Sequence, residues 1–304
     1  MSEKRMRGLV IPSITPMKEN GTIDEEGIAN FAEFLVKAGV NCLYPNGTNG
    51  ESLILEPEEH ERIAEIMVKT SNGRVPVFIQ CGAMSTQRAA SYALHSVKIG
   101  ADGAGIMTPA FFPLDEEALF RYYSDIITKL PPDYPVYIYN IPGYTTNDVS
   151  PALLNRLLNA FPSIVGIKFS KPDLMRAQDY LEKSDRRPEL LIGCDSLFLQ
   201  CLTIGGVGTV SGPGSIFHER FTRLYRQYNE GDIKGAIETQ RQIVKTDREL
   251  EGIPPIPALK TLLKLRGVIK SDICRAPLRS LTKDEVSKLD KILNEYFKEE
   301  NLNG

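Results

Sequence analysis

Short apolar runs alternate with amphipathic stretches along most of the chain. Runs rich in β-branched residues begin near Leu9 (LVIPSIT), Cys42 (CLYP), Val75 (VPVFIQ), Gly103 (GAGIM), Val136 (VYIYN), Ile164 (IVGIKF), Leu190 (LLIGC) and Val207 (VGTV). Each reads as a strand. Between them, apolar residues recur every three to four positions, as helices require. Ile28, Phe31, Leu35 and Ala38 do so within 25–38, and His60, Ile63, Ala64 and Met67 within 57–69. The stretches 114–130 and 172–183 fit the same period. Ser85, Asp115 and Ser150 stand before helical runs, the last followed by Pro151, and Gly100 closes one. These are the residues that cap helix ends.

The eight apolar runs are nearly continuous rather than alternating. Strands buried on both faces have that character, and parallel sheets supply it. Eight β–α units in about 220 residues predict an α/β fold, a (β/α)8 TIM barrel. The alternative is a doubly wound sheet, which usually carries a glycine-rich phosphate loop after its first strand. Ile14-Thr15-Pro16-Met17 is not such a loop. Beyond Gly231 the strand signals stop. Helical, charged stretches follow at 232–249, 257–266 and 283–299, with Pro254, Pro255 and Pro257 between the first two. The expected division is a barrel over 1–230 and a small C-terminal helical domain over 231–304, its last residues, from Asn301, frayed.

Composition narrows the function classes. Lys plus Arg number 36 and Asp plus Glu 39, a net charge of −3. That balance gives no electrostatic case for nucleic acid or an acidic membrane surface. The segment 196–218 lacks Asp, Glu, Lys and Arg and is long enough to span a bilayer. Its glycines (Gly205, Gly206, Gly208, Gly212, Gly214) and Pro213 break it into pieces, so a buried helix–strand–loop is expected. Five cysteines with no C-x-x-C argue against a disulfide framework or a cysteine zinc site. With no secretory signal pattern at the start, a cytoplasmic enzyme is expected.

In such a barrel, reactive groups stand at the C-terminal ends of the strands. Lys168 ends the sixth run, in Ile164-Val165-Gly166-Ile167-Lys168-Phe169. An amine there either reaches solvent or loses its charge to desolvation, and a neutral amine attacks ketones. Tyr139 ends the fifth run; it is either a packed barrel tyrosine or a phenol able to move protons beside Lys168. Asn46-Gly47-Thr48-Asn49-Gly50-Glu51 follows the second run. It is a plain turn, or one whose amides converge on an anion such as a carboxylate. Other features carry no chemistry. Gly206-Val207-Gly208 is followed by Ser211, not by the third glycine of a dinucleotide fingerprint. His60, His95 and His218 lack metal-ligand spacing. Asp24-Glu25-Glu26 and Asp115-Glu116-Glu117 open helices, where acids complement the dipole.

Together these residues resemble one family. The chain is similar, over 9–289, to the pyruvate-dependent class I aldolases that include dihydrodipicolinate synthase and N-acetylneuraminate lyase. The matching landmarks are Gly47-Thr48-x-Gly50-Glu51, Thr108-Pro109, Tyr139-Asn140-Ile141-Pro142 and Gly166-Ile167-Lys168. Gly193-x-Asp195 and Cys274-Arg275-x-Pro277 also match. The resemblance implies a barrel with C-terminal helices, usually assembled as a homotetramer. It implies Lys168 as the Schiff-base lysine, Tyr139 as a proton shuttle working with Thr48, and Thr48 and Asn49, beside Gly47, as the pyruvate carboxylate site. The main-chain carbonyl of Val210 would lie near the amine. The imine is itself the electron sink, so neither metal nor organic cofactor is expected.

Departures from the family pattern bear on the substrate. Where the synthase has a carboxylate-binding arginine, this chain has Tyr144, and where it has a relay tyrosine that reaches into a neighbouring subunit, this chain has Phe111. The lyase pattern Lys-x-Thr/Ser is met by Lys168-Phe169-Ser170, while its Gly-x-Asp-Glu becomes Gly193-Cys194-Asp195-Ser196. These residues imply a lyase of a 2-keto-3-deoxy sugar acid or of N-acetylneuraminate, with Ser170, Asp195 and Ser196 on sugar hydroxyls. A dehydratase of a 2-keto-3-deoxy acid, a synthase using aspartate semialdehyde and a non-catalytic paralogue are the alternatives.

Overall fold

The structure, a computed structural model, describes residues 4–303. Eight parallel strands form one sheet: β1 (Gly8–Ile11), β2 (Cys42–Leu43), β3 (Phe78–Gln80), β4 (Gly103–Met107), β5 (Val136–Asn140), β6 (Ile164–Phe169), β7 (Glu189–Ile192) and β8 (Gly208–Val210). The order is β2-β1-β8-β7-β6-β5-β4-β3. A parallel bridge between Leu43 and Val77 joins the two ends of that order. The sheet is thus a TIM barrel, and the doubly wound alternative is excluded.

The observed strands are shorter than the apolar runs. The third run starts at Val75, but Pro76 has no amide hydrogen to give to a ladder, and pairing as a strand begins at Phe78. Helices α1 (Glu25–Lys37), α2 (Pro57–Ser71), α3 (Thr86–Lys98), α4 (Glu116–Ile127), α5 (Pro142–Thr145), α6 (Pro151–Ala160), α7 (Leu174–Glu182), α8 (Phe198–Thr203) and α9 (His218–Asn229) connect or follow them. The expected caps form. The side chains of Ser85, Asp115 and Ser150 accept from the amides of Arg88, Ala118 and Leu153 at 3.3, 2.8 and 3.0 Å.

Two apolar layers follow from the strand alternation. Ile138, Ile167 and Ile192 face outward and pack with helix residues such as Phe31, Leu119 and Leu157. Val10, Tyr44, Phe78, Tyr137, Tyr139 and Leu191 fill the barrel interior. The segment 196–218 is divided between α8, β8 and a 3-10 turn, as its glycines require. No helix among the described residues is long and apolar enough to cross a membrane.

The C-terminal stretches form α10 (Ile233–Leu250), α11 (Pro255–Leu265) and α12 (Lys283–Asn303). The end expected to fray continues α12 as far as Asn303, and Gly304 lies outside the described residues. Near that end Glu299 and Glu300 meet the buried Arg220 of α9 at 2.6 and 3.0 Å. These contacts give the last turns a tertiary reason to stay helical. Ile243, Leu259, Leu262 and Leu289 of α10–α12 belong to the same apolar cluster as the barrel helices.

Candidate active site

The reactive residues meet because β5 and β6 are neighbours in register. Tyr139 pairs with Lys168, and Met107 of β4 pairs with Tyr139. The two-residue period that turns Ile167 and Phe169 outward turns Lys168 inward. Its side chain is 5% exposed. The ammonium nitrogen Nζ lies 3.6 Å from the centre of the Tyr139 ring and 5.4 Å from that of Tyr44. Among the described residues it forms no ion pair. The nitrogen is thus held between two aromatic faces with no carboxylate paired to it, facing the open cavity.

The Tyr139 hydroxyl and Thr48 Oγ1 are 3.1 Å apart, which makes a two-hydroxyl path beside the amine. Thr48 opens a 3-10 turn, Thr48–Gly50, between Asn46 and Glu51, both in the left-handed region. The amides of Gly50 and Glu51 close the turn onto the carbonyls of Gly47 and Thr48 at 3.0 and 3.1 Å. Glu51 anchors it from below: its carboxylate pairs with the fully buried Lys260 of α11 and accepts from the Arg275 amide at 2.7 Å.

A cavity of about 600 Å3 opens above these groups. Thr48, Asn49, Tyr139, Lys168 and Val210 form its floor side, and Ser170, Gly193, Asp195, Ser196 and Tyr144 its wall. Gly193 is required by close approach: a β-carbon there would fall 2.0 Å from Ser170 Oγ. Two expected site residues lie apart. Gly47 does not line the cavity. Phe111 is 73% exposed, with its ring edge-on to Phe112 and outside the cavity of this single chain. The histidines are occupied elsewhere. His60 stacks on Tyr92 and bonds the Gln80 carbonyl at 2.9 Å, and burial pushes its pKa down to about 3.

The opposite wall comes from residues that periodicity did not single out. Asp247, Leu250 and Glu251 of α10 and the turn after it reach the cavity, with Ala258 and Leu259 of α11. Asp195 Oδ2 accepts from Ser211 Oγ at 2.6 Å. Burial holds both Asp195 and Asp247 well above the ordinary carboxylate range, and the charges of Asp195 and Glu251 add to the rise at Asp247. Burial likewise raises the Cys194 thiol to about 11, so it is no nucleophile at neutral pH.

The arrangement suits chemistry on a small keto compound. It offers a nucleophilic amine, a hydroxyl pair to move protons, and a hydrogen-bonding wall. Its relatives agree. A family model described as the dihydrodipicolinate synthetase family matches residues 5–296. An uncharacterized DapA-like lyase of Halobacterium salinarum is 34% identical over 288 residues, 94% of this chain and 92% of that protein. A 4-hydroxy-tetrahydrodipicolinate synthase of Geobacter sp. is 31% identical, covering 95% and 98%. The crystal structure of dihydrodipicolinate synthase from Aquifex aeolicus superposes with a TM-score of 0.90 at 30% identity, covering 96% and 98%. That of YagE, a prophage protein of the same family from E. coli K12 in complex with pyruvate, superposes with a TM-score of 0.91 at 25% identity, covering 96% and 98%. This chain therefore belongs to the dihydrodipicolinate synthetase family and is one of its pyruvate-dependent lyases.

Proposed function

We propose that this protein is a class I aldolase that cleaves, or forms, a 2-keto-3-deoxy sugar acid or N-acetylneuraminate, with pyruvate as the common partner. The observation that carries this reading is the Lys168 amine set 3.6 Å from the Tyr139 ring in the cavity wall, with Thr48 3.1 Å from the tyrosine hydroxyl. Lys168 Nζ adds to C2 of the keto acid. Tyr139 and Thr48 move protons from nitrogen to oxygen, water leaves, and a cationic imine remains. The C4 hydroxyl loses its proton, the C3–C4 bond breaks, and its electron pair flows to the iminium nitrogen. The aldehyde departs. The resulting enamine takes a proton at C3, and water releases pyruvate and the free amine. The Thr48 and Asn49 turn holds the C1 carboxylate, the Val210 carbonyl lies near the amine, and Ser170, Gly193, Asp195 and Ser196 meet the sugar tail.

The synthase names of several relatives favour a second reading, condensation of pyruvate with aspartate semialdehyde. Tyr144 and Phe111, where that enzyme uses an arginine and a relay tyrosine, weigh against it. Product masses separate the two. The exposed Phe111 and Phe112 rings fit burial in a homotetramer, measurable by sedimentation, and the free cysteines fit a cytoplasmic protein.

Borohydride reduction with pyruvate tests the chemistry. A reduced pyruvyl adduct on the peptide containing Lys168 is expected, and none on Lys168→Arg. An intact wild-type enzyme that gains no mass would refute the Schiff-base mechanism.

A further inference from the structure

The cavity is one-sided in charge. Among its described lining residues, Lys168 is the sole cation, and it is consumed as the imine nitrogen. The acids are Asp195, Asp247 and Glu251. They lie on the side of Ser196 and of the C-terminal helices, where the part of a substrate beyond C4 must go.

Asp247 reaches this wall through a definite construction. Gln240, Ile243 and Asp247 recur at three-to-four spacing and so share one face of α10. Gln240 docks that face on the loop after β7. Its amide nitrogen donates to the Asp195 carbonyl at 3.0 Å, and its oxygen accepts from the Leu199 amide at 2.8 Å. Ile243 is buried beneath. One helical turn further on, Asp247 therefore faces the Asp195 region across the cavity. Arg220, which shares a small crevice with Asp247, is bound to Glu299 and Glu300. Asp247 itself makes no hydrogen bond or ion pair among the described residues, whereas most other acids of this chain are capping helices or paired.

We propose that Asp247, acting across the cavity from Asp195, is a specificity-determining residue that selects an uncharged polyhydroxyl tail and rejects a tail ending in a carboxylate or phosphate. A carboxyl that keeps its proton both donates and accepts, and two such groups lining one cavity suit a run of hydroxyls. An anionic tail would instead meet like charge in a partly desolvated wall with no cation to pair with. Burial raises the affinity of each carboxyl for its proton, which agrees with a hydroxyl-binding role beside that shared cavity. This inference rests on the aldolase reading above and narrows its substrate class.

Cleavage rates supply the test, read as pyruvate released from 2-keto-3-deoxygluconate, from its 6-phosphate and from the corresponding six-carbon diacid. The neutral tail should be preferred by roughly 30-fold or more in kcat/KM, mostly through KM. Asp247→Asn should lower that preference about tenfold, and Asp247→Arg should turn it toward the anionic tails. Thermal melting of each variant confirms that it is folded. Equal or better use of the anionic tails by the wild type overturns the proposal, as does a preference unchanged in folded Asp247→Asn and Asp247→Arg. Trapping of pyruvate on Lys168 with no cleavage of the neutral compound also overturns it, while the Schiff-base chemistry stands. Absence of the trapped adduct removes that chemistry and the proposal together.

Discussion

At the residue scale, Lys168 stood out because it breaks a local rule, whereas Tyr139 fits a strand and was singled out by its place at the end of the neighbouring run and by the family resemblance. A lysine inside an apolar strand has no ordinary reason to be there, and a fixed two-residue period says which way it points. Their register, Tyr139 beside Lys168, follows from adjacent parallel strands. Thr48 was less legible, since a Gly-Thr-Asn-Gly turn needs only its glycines. Only the fold sets its hydroxyl 3.1 Å from that of Tyr139. In the proposed mechanism, removing either hydroxyl interrupts the same proton path. Tyr139→Phe is expected to slow imine formation by about 10²–10⁴-fold, the usual worth of a positioned acid or base. Thr48→Val should cost less alone and little more on top of Tyr139→Phe, because residues in one network are not additive. Rates of borohydride-trappable adduct formation for the three variants check this; fully additive losses would separate the two hydroxyls.

At the element scale, the strand ends and the C-terminal helices are coupled through one buried ion pair. Lys260 of α11 is completely buried against Glu51, and its ammonium also donates to the Ile273 carbonyl at 2.7 Å. Glu51 sits in the left-handed region right after the Thr48–Gly50 turn. Nothing in the spacing of the chain hints at this pairing. Glu51 ends a turn, Lys260 falls in an apolar helical stretch, and only the docking of α11 on the barrel mouth joins them. Removing one partner leaves a buried charge uncompensated, which costs about 3–5 kcal/mol. Lys260→Met should therefore lose about that much stability in urea unfolding, and Glu51→Gln a comparable amount. The double variant should lose less than the sum. Because the turn rests on Glu51, the folded fraction of either single variant should also show a raised KM for pyruvate.

At the scale of the whole molecule, strand count and the helical C-terminus were legible from period, and the barrel from eight units without a glycine-rich loop after the first strand, but the far wall of the cavity was not. Asp247 is one acid among many on a charged amphipathic helix, and no spacing ties it to Asp195. The two come to line one cavity only once α10 packs over the loop after β7 through Gln240. That packing places two carboxyls in one partly desolvated space, with Glu251 adding to the field at Asp247 and Lys168 and Ser211 moderating it at Asp195. Their folded-state pKa values lie above the ordinary 3.8, so folding favours the protonated forms. Below pH 3.8 both states are protonated and the pair costs nothing. As pH rises, the unfolded chain ionises first, and the cost to folding grows until the folded pair ionises too. The buried His60 and His218 act in the opposite sense. Burial lowers them to about 3 and 4 from 6.5, so the stability of their neutral forms is complete above pH 6.5 and declines as pH falls through the folded values. Replacing Asp247 isolates the carboxyl contribution, since it leaves both histidines unchanged. Asp247→Asn should raise the melting temperature, and the increment should be small near pH 4.5 and grow to several degrees by pH 8.5. Melting curves of the two proteins across that range decide it. An increment independent of pH would mean that Asp247 is solvated and does not face Asp195.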